Sequence, residues 1–348
     1  MARILMAGAP AYGLAMPSLP FVRALVDAGH EVDYVMGEAF RDRVEAAGAT
    51  LVPFGPREAI TRPAQLALQG RRLFRALNAS IRRLARHYDA VVAGGLNPEI
   101  PDLQRELDRP VINLSPVFFQ NDRVIAHLAR ISTTLPGPAR RLMASPTARR
   151  RLTAVLGPLV FGSRPPDILN LLRPMSSTLN ISPATRHYQP FAGTSTTSRA
   201  TSPARRPPRP RLTPRSRSTG SGPTTAPSST PRSARSSTAT STTSGPSSRR
   251  SPTATHGVFG STTDTVLAGV PAVFTPMGAD QFFNAHRMEE LGAGRVLGRA
   301  DVTPSGVRRV ADALLSGARP AGLATLKESF EQAPGPAGAV REIERVLA

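Results

Sequence analysis

The run THGVFGSTTDTVLAGVPAVFTPMGADQFFNA, residues 255–285, gathers the residue types best suited to chemistry. Gly257 and Gly260 free the backbone for a tight loop, and Ser261 and Thr262 stand where an apolar-periodic helix begins. The first N–H groups of a helix are unsatisfied and sit at the positive end of its dipole, so such a start is a workable anion seat. His256, just before the loop, can donate a hydrogen bond to a phosphate oxygen. Farther on, Asp280 and Gln281 follow a strand-like run that ends at Pro276. That puts a carboxylate acceptor and a two-way amide at the carboxyl edge of a sheet, where open α/β folds bind ligands. From the residues alone, two readings stay open: a phosphate-gripping turn, or a plain glycine turn leading into a helix.

Other chemistry has little support. His30, His87, His127, His187 and His286 show no metal-ligand spacing with one another, which points to structural roles, and Asp89 and Glu99 read as ordinary surface or turn carboxylates. The chain has no cysteine, so no disulfide framework, thiolate metal site or cysteine nucleophile is expected, and a reducing cytoplasm fits.

The elements that must position the 255–285 run follow an α/β grammar. ARILMAG (2–8) is a short apolar run ending in glycine, as in a buried parallel strand. PSLPFVRALVDAG (17–29) places Leu19, Val22, Leu25 and Val26 at helical spacing, with Gly29 as C-cap. HEVDYVMG then predicts a second strand, AFRDRVEAAG a helix ending at Gly48, and TLVPF a third strand. YDAVVAGG, IPDLQRELD and PVINLSP continue the series, residues 120–174 read as helical, and MSSTLNIS closes it as a strand. Alternating strands and helices predict a right-handed parallel α/β sheet. After residue 255 the pattern returns as the helix STTDTVLAG, the strand PAVFTP, the helix DQFFNAHRMEELG and helices around VRRVADALL and VREIERVLA.

With 348 residues, two domains are the starting expectation. The first residues lack the pattern of a secretory signal, and no run reaches the length of about 18 apolar residues needed for a membrane span. The net charge of +20 raises a nucleic-acid reading, but eleven arginines and no acid fall in residues 195–254, leaving +9 for the other 288 residues. That window is Ser, Thr, Arg, Pro, Ala and Gly with one Leu, without an aromatic residue to stack on bases. It cannot bury enough apolar surface to offset its ordering entropy, so it predicts disorder and no specific nucleic-acid recognition. One lysine, Lys327, stands against 43 arginines, a ratio that suggests GC-rich coding.

Taken in order, His256, Gly257, Gly260, Ser261, then Gly269, Val270, Pro271, then Asp280, Gln281, Asn284 and Ala285 resemble the signature of the nucleotide-sugar glycosyltransferases of the two-Rossmann-domain (GT-B) type. The resemblance is to the bacterial macrolide and antibiotic branch related to the UDP-glucuronosyltransferases. MPSLPFVRALVDAGHEVDYV, VINLSP and the stretch RPPDILNLLRPMSSTLNISPATRHYQPFAGT resemble the same family's first half, so the resemblance covers about 1–194 and 255–348. It implies an acceptor-binding domain over 1–194 and a truncated nucleotide-sugar domain over 255–348. By the same resemblance, His256 and the turn through Thr262 hold the donor diphosphate. Asp264 stands where a ribose-binding glutamate is common, and Asp280 and Gln281 contact the sugar hydroxyls. Val258 replaces the usual second glycine of the turn. No metal or other cofactor is implied; the partners are a nucleotide sugar and a small-molecule acceptor, and the oligomeric state stays open.

The resemblance also implies a histidine base in the first strand-to-helix loop, oriented by an aspartate at the end of a later strand. Here Tyr12 falls at the base position, Leu14 at a second histidine, and Gly94 or Gly95 at the aspartate. A phenol releases its proton only near pH ~10, so an aromatic lining of the acceptor cleft is the better reading of Tyr12.

Between AGT and THG the family supplies the first strands and helices of its second domain. In Pro246–Thr253, GC-ending codons shifted by one base can spell Pro-Gln-Leu-Ala-Ala-Val-Ala-Asp, and Ser195–Thr197 can become Phe-Asp-Asp, both family-like. Residues 195–254 therefore read as a frameshifted, shortened half-domain, with a genuine disordered insertion as the competing reading; the gene sequence decides between them. Three functions follow: an active glycosyltransferase acting on a natural-product aglycone, a degenerate non-catalytic relative or pseudogene product, and, from charge alone, a nucleic-acid binder.

Overall fold

Short apolar runs become parallel strands, and the segments between them become helices that cover both faces. The computed structural model describes residues 1–191, 199–200 and 253–348, except 56, 62, 95, 132–135, 161–166, 168–170, 256–258, 277–279 and 317–319. Within these residues, β1 (Arg3–Ala7), α1 (Tyr12–Ala15), α2 (Leu19–Asp27), β2 (Glu31–Met36), α3 (Arg41–Ala46) and β3 (Thr50–Pro53) open the chain. They are followed by α4 (Pro63–Leu84), β4 (Ala90–Gly94), α5 (Ile100–Glu106), β5 (Val111–Leu114), α6 (Asp122–Ile131), α7 (Gly137–Ala144), α8 (Pro146–Val160), β6 (Leu179–Ser182) and β7 (Arg199–Ala200). The second series is β8 (Thr253–Thr255), α9 (Phe259–Ala268), β9 (Ala272–Phe274), α10 (Asp280–Glu290), β10 (Gly294–Val296), α11 (Pro304–Ser316), α12 (Ala321–Glu331) and α13 (Gly335–Leu347).

Seven strands pair in the order β3-β2-β1-β4-β5-β6-β7, every described pairing parallel, and a second parallel sheet runs β10-β9-β8. The predicted parallel α/β sheet is therefore present. Elements not anticipated from the sequence are α1, where only a turn was expected, α4, α12 and β10, together with β7 and β8, whose residues 199–200 and 253–254 form strands where disorder was expected. Of residues 195–254, only the two edges are described, and there β7 and the first residues of β8 join the sheets; the expectation of disorder for the rest lies outside the described residues.

Helices end where glycine lets the backbone turn left-handed. Gly29 has φ +84°, and its N–H and that of His30 reach back to the carbonyls of Val26 and Leu25 at 2.9 and 3.1 Å. This paired capture of the last carbonyls stops α2 and feeds the chain directly into β2. The same device recurs at Gly269 (φ +63°), where Gly269 and Val270 N–H groups bond the carbonyls of Val266 and Thr265 and deliver α9 into β9.

One face of the large sheet packs Ile4, Met6, Val32 and Ile112 against α2, α3 and, from the far end of the chain, Ala339, Val340 and Ile343 of α13. His30, buried at the start of β2, meets Glu344 of α13 at 3.3 Å. On the opposite face, Leu5, Val91 and Val111 pack with Leu73, Phe74, Leu77 and Ile81 of α4 and Ile100 and Leu103 of α5. Glu99, read from the sequence as a surface or turn carboxylate, does lie in the turn before α5, but it is buried and 3.0 Å from the Arg82 guanidinium of α4. A third core joins Val117, Phe118, Leu128 and Tyr188 to Val266, Phe274, Phe283, Met288, Leu326 and Phe330. Residues Met1–Arg205 and Ser251–Ala348 accordingly form one compact unit.

Candidate functional site

The small sheet brings two helix starts to one edge. Strands β8 and β9 are parallel neighbours with Thr255 opposite Phe274. The chain leaves β8 to begin α9 at Phe259 and leaves β9 to begin α10 at Asp280. Both first turns therefore rise from the carboxyl edge of adjacent strands, which lie about 5 Å apart in a sheet. Helix N-termini gathered at such an edge form the usual anion-binding corner of an open α/β fold.

Of the residues singled out from the sequence, Gly260, Ser261, Thr262 and Asp264 lie in the first turns of α9. Thr262 is fully buried and its carbonyl accepts the Thr265 hydroxyl at 2.8 Å, while Asp264 is exposed. Gly260 is exposed, and a Cβ added there would meet nothing within 4 Å. Asp280 and Gln281 form the first turn of α10. His256, Gly257 and Val258 lie outside the described residues.

Side chains from the first half of the chain hold α10 in place. The Tyr188 hydroxyl donates to Asn284 Oδ1 at 2.9 Å, with both residues fully buried. Arg287 donates through Nε to the Tyr188 carbonyl at 3.1 Å and through Nη2 to the His187 carbonyl at 3.0 Å. Phe283 packs on Phe118 with ring centroids 4.2 Å apart.

Tyr12 occupies the corresponding edge of the large sheet, in α1 just beyond β1, and is 42% exposed. Its ring tilts against Phe40 at 5.0 Å and lies under the Arg43 guanidinium at 5.4 Å. Gly94 ends β4 beside β1, where an added Cβ would stand 3.5 Å from the Ala7 carbonyl oxygen. No imidazole or carboxylate occupies either position.

Besides His30–Glu344 and His286–Glu289, a close histidine–carboxylate pair joins α6 to α10. His127 Nε2 lies 2.9 Å from Glu290 Oε1, and Arg130 donates to His127 Nδ1 at 2.8 Å. Because arginine only donates, Nδ1 acts as the acceptor and Nε2 carries the proton that faces Glu290. Both ring nitrogens are engaged, so this pair fastens α6 to α10 and leaves no lone pair for a base. His286, on the same helix, has a pKa held below the ordinary histidine value, chiefly by burial and further by His127, with Glu289 and Glu290 opposing. Among the described residues, no group of three or more His, Asp and Glu side chains could hold a metal ion.

Two parallel sheets, each presenting its carboxyl edge with helix starts, define the GT-B type of α/β architecture, here with three strands in the second sheet among the described residues. Residues 250–346 match the family model described as Erythromycin biosynthesis protein CIII-like, C-terminal domain. No curated protein matches the chain. Among solved structures, the glycotransferase of kitacinnamycin is 22% identical with a TM-score of 0.68, covering 100% of this chain and 99% of its own. CalG4, the calicheamicin glycosyltransferase, is 22% identical with a TM-score of 0.64, covering 100% and 98%. The glycosyltransferase VinC, solved in complex with dTDP, is 16% identical with a TM-score of 0.58, covering 99% of each chain. The chain thus has the fold of these GT-B glycosyltransferases, and residues 250–346 are similar to the C-terminal domain that the family model describes.

Sequence reading passed over Tyr188, in HYQPF, because nothing local marks a partner almost a hundred positions away.

Proposed function

We propose that the chain binds a nucleoside-diphosphate sugar at the edge of the small sheet and transfers the sugar to a hydroxyl of a small natural-product aglycone. The observation that carries this reading is the run 255–285, whose described residues fold as helix, strand and helix with both first turns at one sheet edge, within the segment that matches the family model. In this reading His256, Gly257, Gly260, Ser261 and Thr262 hold the diphosphate. Asp264 faces the ribose, and Asp280 and Gln281 take the sugar hydroxyls. Residues 1–194 bind the acceptor and 255–348 the donor, with Tyr12 lining the acceptor cleft. That VinC was solved with dTDP supports a nucleoside diphosphate as the ligand class.

In the reaction the acceptor oxygen attacks the anomeric carbon, the bond from that carbon to the diphosphate breaks, and the hydroxyl proton passes to a base. Helix N-termini favour the departing diphosphate because its charge grows as the bond breaks. No metal or other cofactor takes part in this proposal.

A second reading, binding without transfer, is favoured by Tyr12 and Gly94 at the positions of the base and its partner. Incubation with UDP- and dTDP-sugars and a panel of aglycones, following nucleoside diphosphate release and glycoside formation, separates the two. Clear turnover, with Tyr12→Phe as the control, excludes the non-catalytic reading. Tight nucleotide binding with no product from any pair excludes transfer.

A further inference from the structure

We infer that Tyr188 is a positioning residue for the sugar-binding turn of α10, an inference that rests on the donor site proposed above. Asn284 follows Asp280 by four residues and Gln281 by three, so all three lie on one face of the helix, within a single turn of each other. The hydrogen bond from the Tyr188 hydroxyl to Asn284 Oδ1 at 2.9 Å therefore fixes the rotation of that face about the helix axis. The two bonds from Arg287 to the carbonyls of Tyr188 and His187 fix its height along the axis.

Tyr188 is itself held from three sides. Its N–H donates to Thr185 Oγ1 at 3.1 Å, the same oxygen accepts the Ser329 hydroxyl at 2.9 Å, and the ring meets Phe330 edge-on at 5.8 Å. The hydroxyl is thus presented by a rigid frame of the first-half segment and α12. A donor contact must be placed within a fraction of an ångström to be effective, so such a frame acts on affinity without touching the ligand.

The diphosphate seat on α9 and the sugar contacts on α10 belong to different helices, which gives the inference its test. Calorimetric titration of the full chain with matched pairs, UDP against UDP-glucose and dTDP against dTDP-glucose, reads the sugar's share of affinity separately from that of the nucleotide. Tyr188→Phe is expected to weaken the sugar nucleotide about five- to tenfold, the effect of one lost buried hydrogen bond, and to leave the bare diphosphate unchanged. Equal affinity to wild type for both ligands, or an equal loss for both, overturns the positioning role. Should Tyr188→Phe melt below the assay temperature, Arg287→Gln reads the same ratio from the partly exposed side of the clamp. Absence of binding of any of the four ligands by the wild-type chain overturns the donor-site reading itself, a failure seen before any variant is compared.

Discussion

Tyr34 shows how burial commits a single hydroxyl. It is fully buried in β2, and its hydroxyl lies 2.8 Å from Ser18 Oγ, whose own proton goes to the Ala15 carbonyl at 2.7 Å. The Tyr34–Ser18 hydrogen bond ties β2 to the segment that follows Tyr12. Burial pushes its phenol up to about 12, with the Ser18 bond opposing. The neutral form is favoured in the fold, so this contribution is fully present below the unfolded value near 10 and is lost as pH rises through about 12. At full extent it is worth about 2–3 kcal/mol. Urea unfolding should show stability falling from about pH 10 upward, less steeply in Tyr34→Phe. Tyr88, whose phenol is also raised by burial and by its bond to Asp33, acts in the same direction, so the double variant Tyr34→Phe, Tyr88→Phe should fall less steeply than either single variant. An unchanged slope in the double variant would show that neither hydroxyl governs it. At this scale the sequence exposed residue types, such as the glycines and hydroxyls of 257–262, and hid pairings such as Tyr188 with Asn284.

Among elements, the small sheet has the tightest fit. Gly294 opens β10, and a Cβ there would lie 2.5 Å from the Ala272 carbonyl oxygen and 2.7 Å from the Phe274 ring of β9. Backbone cannot yield as a flexible side chain can, so Gly294→Ala should destabilise the protein by about 2 kcal/mol or more, measured as a lower urea midpoint. A midpoint equal to wild type would mean that β10 is not held against β9. This strand went unseen because GRV is too short for periodicity to register, and its identity comes wholly from pairing with β9. In α4 the signal was present: Leu73, Phe74, Leu77 and Ile81 recur at helical spacing, but the many arginines between them mask the stripe. Likewise Leu323, Leu326 and Phe330 of α12 form a narrow seam among small residues. Several of the readable helices have a glycine stop that hands the chain to the next strand, as at Gly29, Gly48 and Gly269.

At the scale of the whole molecule, α13 ties the last residues of the chain to the first sheet. Ile343 is fully buried on α13, which packs on α2 and β6 in the core of the large sheet, so Ile343→Ala should cost about 2–4 kcal/mol from lost burial and the cavity left behind. Because the pocket that receives it is built by residues from the opposite end of the chain, the loss should lower the main thermal transition rather than create a separate early one. An early, isolated transition in calorimetry would instead show α13 unfolding on its own.

The sequence by itself determined the parallel α/β class, the helix stops and the order of residues in the 255–285 run, because each depends on local spacing and on what glycine permits. Tertiary structure alone decided that α9 and α10 begin at one sheet edge, that Tyr188 holds α10, that His127 has both nitrogens engaged, and that α13 returns to the first sheet. Those outcomes join residues up to about three hundred positions apart, as His30 and Glu344 are. Contacts between such distant residues arise from complementary packing of separate elements, and no local pattern records which face will meet which.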